Sequence, residues 1–269
     1  MSKIVEYYEA TNVEATRLSE GCGLLEKWRT LDILRRFLPS APAVIADVGG
    51  AEGVYAFPLA DMGYEVHLID ITPAHIEKAH AINNTKNTLK SIKVGSATQL
   101  HLPDESVDVV LLFGPLYHLQ SYKDRVDAIA EAHRVLRKGG MLFAAGISRF
   151  AGLLDGVARK MLKDEQFYNI ITKTVETGTH INSTNNPAYF TDAHLHRPDE
   201  LAFELAQSGF HELRVLGIEG AIWTLPEATL NDFLSHEDAK EKLFTLLRKT
   251  EAEPSMLGAS AHIMAIAVK

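Results

Sequence analysis

The run Val44-Ile-Ala-Asp-Val-Gly-Gly-Ala-Glu-Gly53, followed by Tyr64-Glu-Val-His-Leu-Ile-Asp70, constrains this chain more than any other stretch. A short strand-forming segment ends in an acid and a glycine-rich turn. The pattern then reads as helix over 52–62, stops at Gly63 and enters a second strand closing on Asp70. Such a unit suits a ribose-bearing ligand. Glycines let the backbone come close, a helix N-terminus offers unpaired N–H groups, and an acid accepts hydrogen bonds from ribose hydroxyls.

The dinucleotide fingerprint G-x-G-x-x-G fails: counted from Gly49 its later glycine positions hold Ala51 and Val54, and from Gly50 they hold Glu52 and Tyr55. No G-x-x-x-x-G-K-[ST] phosphate loop is present. Glu52 stands where a pyrophosphate would dock, and its carboxylate would repel one. The turn therefore points away from a diphosphate ligand.

The turn resembles the first motif of the class I S-adenosylmethionine-dependent methyltransferases, acid-x-Gly-x-Gly-x-Gly, with Asp47, Gly49 and Gly53 in the acid, first and last glycine positions. Ala51 replaces the middle glycine and Gly50 is extra. Further motifs follow in order over 43–147. Asp70 matches the acid at the end of strand two, and Gly95-Ser-Ala-Thr-Gln-Leu-His-Leu-Pro103 is similar to the loop bordering the adenine. Ser96 stands where the family usually has an acid. Ser106–Gly114 resembles strand four, and His133–Gly140 the helix end before strand five.

The resemblance implies a doubly wound, mostly parallel seven-stranded α/β sheet of Rossmann-like type, with an antiparallel pair after strand five. It implies S-adenosyl-L-methionine as cofactor. Gly49, Gly50 and Gly53 would shape the cofactor turn, Asp70 would bind ribose, and Ile71, Ala97 and Thr98 would border adenine. Phe113 and Gly114 would lie near the sulfonium. Tyr7, Tyr8 and Arg17 resemble residues that fold over the cofactor in related enzymes, and Arg17 or Arg29 is a candidate partner for the methionine carboxylate. The alternative for both arginines is a solvated helix face.

Methyl transfer from a sulfonium is an in-line displacement that needs alignment and exclusion of water, not a covalent enzyme nucleophile. Phe113-Gly-Pro-Leu-Tyr-His-Leu119 follows strand four, where the resembling fold places methyl group and acceptor. Tyr117 and His118 are the candidate catalytic residues, orienting or deprotonating the acceptor; the alternative is that they only pack there. The Asn/Asp-Pro-Pro-Tyr motif of nucleic-acid amino-methyltransferases is absent from this position. Tyr189, Phe190, Asp192, His194 and His196 either face the acceptor or form a polar turn. His194-Leu-His196 has no third ligand close by in sequence, so no metal is expected. Trp223 and Leu225-Pro226 either line the acceptor pocket or pack in the core, and core packing is expected.

Along the chain, 3–38 reads as helical, with Leu24, Leu25, Trp28, Leu31, Leu34, Phe37 and Leu38 at helical spacing, ended by Pro39 and Pro42. Strands are expected at 43–48, 64–70, 91–94, 107–113, 141–147, 211–217 and 261–268. Helices are expected at 52–62, 73–83, 122–138, 153–171, 198–208 and within 226–252. The domain reading is an N-terminal helical cap (1–42), a methyltransferase core (43–147 and 197–269) and an inserted lid (148–196).

The charge of −8 and the lack of a dense basic cluster disfavour nucleic acid and mildly favour a neutral or cationic acceptor. Cys22 is the only cysteine, the start of the chain lacks a signal-peptide core and no membrane span is visible, so the cytoplasm is expected. The sequence thus reads as a methyltransferase acting on a small molecule. The rival readings are a protein or RNA methyltransferase, with an open groove, and a cofactor-binding regulatory protein without catalysis. Oligomeric state is not legible.

Overall fold

Alternation along the strands sends successive side chains to opposite faces, and here both faces are covered by helices. The computed structural model of the chain describes residues 5–8, 17–184 and 186–269. Helix α1 (Gly21–Phe37) leads into β1 (Val44–Val48), α2 (Ala56–Asp61), β2 (Glu65–Asp70), α3 (Pro73–Lys86), β3 (Ser91–Val94) and β4 (Val107–Leu112). A short α4 (Pro115–His118), α5 (Tyr122–Val135) and β5 (Leu136–Ile147) follow. The sheet order is β3-β2-β1-β4-β5-β9-β8, where β8 is His211–Gly217 and β9 is His262–Val268. The β1–β5 pairs are parallel, while β9 runs antiparallel to both β5 and β8. This is the seven-stranded, mostly parallel sheet expected.

One face buries Ile45, Val109, Leu111, Phe143 and Met264 under α1, α2 and α3. The other buries Ala46, Val110, Leu112, Leu142 and Ile263 under α5 and α8 (Pro198–Gln207). Where the direction of crossover changes, between β1 and β4, the carboxyl ends of the strands diverge and leave a crevice.

Several boundaries differ from the sequence reading for local reasons. The helix expected at 52–62 starts only at Ala56, because Ala51 (φ 47°) and Gly53 (φ 91°) turn the chain through the left-handed region. The helix expected to 138 ends at Val135. Leu136 instead pairs with Val107, and Arg137 reaches Asp108 at 2.6 Å. The helix expected at 153–171 is two: α6 (Ala151–Ala158) ends before Lys160 at φ 60°, and Asp164 caps α7 (Glu165–Thr177) by accepting from Gln166 N at 2.9 Å. The 226–252 region is likewise two helices, α9 (Glu227–Ser235) and α10 (Glu237–Thr250). The helix expected over 3–38 is broken at 18–20 by a turn, with helix at 5–8 and again from Gly21; residues 9–16 lie outside the described ones.

The 148–196 segment carries α6, α7 and a two-stranded ribbon of β6 (Thr179–His180) and β7 (Ala193–His194). It has its own apolar cluster of Phe167, Ile171 and Tyr189, and β7 packs beside α4. Among the described residues no helix is long and apolar enough to cross a membrane.

Candidate active site

A cavity opens at the carboxyl ends of β1, β2 and β4. Its wall includes Tyr8, Arg17, Gly49, Gly50, Asp70, Ile71, Ala97, Phe113, Gly114, Tyr117 and His118. Gly53 and Thr98 do not line it. Gly53 serves the turn itself: its φ is 91°, and a Cβ there would lie 2.8 Å from the Phe57 ring. Thr98 is turned into the loop, where its hydroxyl meets Ser96 Oγ at 2.9 Å.

The turn after β1 is built for close approach. A Cβ on Gly49 (φ 78°) would come within 2.5 Å of Pro115 Cδ, and one on Gly50 within 2.5 Å of Asp47 Oδ2. Asp70 anchors the rim: Oδ2 accepts from Ala51 N at 2.9 Å and Oδ1 from Thr72 N at 2.8 Å. Oδ1 also faces His75 Nδ1 at 3.4 Å, so the lone pair left for a ligand hydroxyl is on Oδ2. A bare glycine cradle beside an acid with spare acceptor capacity fits the adenosyl part of S-adenosylmethionine. Glu52, by contrast, is paired with Lys78 at 2.7 Å.

Asp47 lies behind the turn with no exposure. Burial, reinforced by the Asp70 carboxylate and opposed by the Ala56 N–H, pushes it up to about 7. The fold then binds an extra proton between the ordinary value of 3.8 and about 7, so stability falls as pH rises through that window. Asp47→Asn should flatten this fall. Urea unfolding at the two ends of the window checks it, and equal slopes in variant and parent would refute the assignment.

His118 is half-buried, and loss of solvent around the ring holds its imidazole down at about 3. Tyr8 Oη lies 2.8 Å from His118 Nε2, and the rings of Phe190 and Tyr117 stand 6.1 and 4.7 Å away. His118 Nδ1 has no hydrogen-bond partner among the described residues. Phe190, at φ 67°, also meets Tyr7 at 6.1 Å, so the 5–8 helix and the 148–196 segment join over His118.

The remaining candidates separate. Arg17 lines the cavity, but its guanidinium forks onto Glu26. Arg29 is not at the cavity: it is fully buried, bonded to Asp32 and Glu251 at 2.5 Å and to Ile218 O at 3.1 Å. The solvated helix face considered for it is therefore wrong. None of Tyr189, Phe190, Asp192, His194 and His196 lines the cavity, although Phe190 reaches the His118 ring. Tyr189 bonds Asp164 at 2.5 Å, and Asp192 accepts from Asn182 N at 2.8 Å. The third group that the sequence around His194 and His196 lacks is brought up by the fold: Glu204 Oε2 is 3.2 Å from His196 Nε2. Its carboxylate is gripped by Arg125 at 2.7 and 2.9 Å, which commits it to an ion pair. Trp223 is a core residue, donating to Ala259 O at 2.9 Å.

Sequence reasoning missed Glu26, Tyr55, His75 and His262, all on the cavity wall. His75 was discoverable, because it lies one turn past Asp70 on a helix that starts at Pro73. Glu26 and His262 were not: they come from α1 and β9, near opposite ends of the chain. There His262 Nδ1 meets Glu219 Oε1 at 2.6 Å and Glu26 Oε2 at 3.7 Å.

A methyltransferase-domain family model matches residues 46–144. The ubiquinone/menaquinone biosynthesis C-methyltransferase of Zymomonas mobilis is 30% identical over 172 residues, spanning 57% of this chain and 68% of the relative. An S-adenosylmethionine-dependent methyltransferase of Methanosarcina mazei shares the fold with a TM-score of 0.58 at 21% identity, over 88% of this chain and 96% of that one. So does a Thermotoga maritima enzyme named as a possible histamine N-methyltransferase, with a TM-score of 0.60 at 18% identity, over 98% and 99% of the two chains. The motif order, the sheet and these likenesses agree: the chain belongs to the class I S-adenosylmethionine-dependent methyltransferases.

Proposed function

We propose that the protein methylates a small molecule enclosed in the cavity between Asp70 and His262. The observation that supports this reading most is the roof over His118, where Tyr8 packs on the His118 ring and Tyr7 meets Phe190 of the 148–196 segment. A protein or RNA acceptor needs an open groove, and a covered cavity speaks for a small acceptor. In this reading 148–196 acts as the lid.

Asp70 holds the ribose, Gly49 and Gly50 admit the cofactor to the backbone, and Ile71 and Ala97 flank the adenine. When bound, S-adenosylmethionine supplies an electrophilic methyl carbon, whose bond to sulfur breaks as the acceptor's electron pair bonds to it, its own pair returning to sulfur. Phe113, Tyr55 and the roof exclude water, and Tyr117 orients the acceptor. His118, held neutral by burial, bonds Tyr8 and locks the roof; its low basicity makes it a poor proton acceptor. The relatives' names attach to different acceptor atoms, carbon in one and histamine nitrogen in the other, so the acceptor must be read from this chain's own cavity.

Calorimetric titration with S-adenosylmethionine and S-adenosylhomocysteine, with NAD as control, tests the cofactor half. Transfer of a labelled methyl group to small acceptors but not to bulk protein or RNA tests the rest. Label appearing in the macromolecules instead would overturn the small-molecule reading.

A further inference from the structure

We propose that His262, clamped by Glu219 and Glu26, donates its Nε2–H to an oxyanion of the acceptor, so that the acceptor is a small phenol or enol. This rests on the cavity being the site of methyl transfer.

The clamp is built from the backbone up. Glu219 is almost fully buried, and its Oε2 receives His262 N at 2.9 Å and Ser260 Oγ at 2.8 Å. Its Oε1 faces His262 Nδ1 at 2.6 Å. A carboxylate only accepts, so Nδ1 is the donor and carries a proton. The ring lies on the cavity wall, and Nε2 has no hydrogen-bond partner among the described residues. Glu26 stands 3.7 Å from Nδ1 on the other side, itself forked by Arg17.

Burial opposes charge on this imidazole. The Glu26 and Glu219 carboxylates outweigh it, against a smaller opposing effect of Arg17, and hold the group up at about 9. Near neutral pH both ring nitrogens therefore donate and neither accepts. The charged and titratable groups around it are Glu26, Glu219, Arg17 and Tyr117, whose ring centroid is 6.5 Å away.

A fixed donor of this kind selects among acceptors. A protonated amine is repelled, and a neutral amine would spend its nucleophilic lone pair on the N–H. A phenol or enol oxygen has lone pairs to spare, and its ionised form keeps electron density on oxygen and on the conjugated carbon. Ala145, Ile218 and Met264 supply apolar wall beside His262, which suits a flat apolar body with one polar atom. On binding, the acceptor O–H releases its proton to solvent and the oxygen pairs with the imidazolium. The three ligating groups Glu26, Glu219 and His262 would also fit around a cation. Here Nδ1 is a donor to Glu219 and Glu26 is committed to Arg17, which favours binding of an anion.

The test is a titration of the protein, saturated with S-adenosylhomocysteine, with para-nitrophenol below that phenol's own pKa. The free probe is then colourless, and the bound oxyanion absorbs in the violet. The expected result is a saturable phenolate band with proton release. His262→Gln should weaken it roughly 10- to 100-fold while S-adenosylhomocysteine affinity is kept. Glu219 is a positioning residue: Glu219→Gln leaves the ring in place but lowers its pKa, so the alkaline limit of phenolate binding, followed by calorimetry above the phenol's own pKa, should move to lower pH. A merely structural role would not shift that limit. Absence of the band, or its persistence in His262→Gln, overturns the proposal, as does faster labelled methyl transfer to amines than to phenols. If S-adenosylhomocysteine itself does not bind, the methyl-transfer reading of the cavity fails first; if it binds and no phenolate forms, only the His262 assignment fails.

Discussion

Glu204→Ala should destabilise the fold by about 3–5 kcal/mol, the usual cost of stranding a buried charge. Glu204 and Arg125 are 3% and 4% exposed, and the guanidinium meets the carboxylate through Nε and Nη2 at 2.9 and 2.7 Å. The remaining Arg125 bonds run to the carbonyls of Leu119 and Gln120 at 3.1 and 2.9 Å, which cannot balance a full positive charge. The pair joins α5 to α8 and ties down the segment just after Tyr117 and His118. The double variant Arg125→Met/Glu204→Met should recover much of the loss, because both charges leave together. Urea unfolding measures all three, and a single variant as stable as the parent would show the pair to be idle. Burial raises Glu204, but its bonds to His196 and Arg125 outweigh that and hold it down at about 2. Its contribution is therefore complete above the ordinary value of 4.5 and is lost as pH falls through about 2.

Asp70→Ala should weaken S-adenosylmethionine binding by about 1.5–3 kcal/mol, or roughly 10- to 150-fold. The substitution removes the acceptor proposed for the ribose hydroxyls. It also frees Ala51 N and Thr72 N, so the rim of the cradle loses both of its carboxylate anchors. Asp70→Asn, which keeps one oxygen, should fall between the variant and the parent. Asp70 also raises its neighbour Asp47, so the alanine variant should shift the pH dependence of stability toward the ordinary carboxylate range. Calorimetry gives the affinity and unfolding the stability. An unchanged dissociation constant would remove the ribose assignment.

What the sequence determined by itself was the β1–β2 unit at one side of the cavity. Asp47, the glycine turn and Asp70 lie within one strand–turn–helix–strand unit, where local rules suffice: strand alternation, positive-φ turns and an acid at a strand end. The same locality explains why β3, β5 and β8 were recognisable as strands, and why errors fell at helix ends decided by single residues such as Ala51 and Lys160. The opposite wall of the cavity was decided only by tertiary structure. The antiparallel insertion of β9 between β5 and β8 carries His262 beside Glu219 and under α1, which supplies Glu26, itself paired with Arg17 just before that helix. The same folding brings Glu204 of α8 against His196 and Arg125 of α5. None of these partners shares a periodicity or a motif with the residue it contacts. Their charges are set by burial and by one another, and both exist only once the sheet has closed.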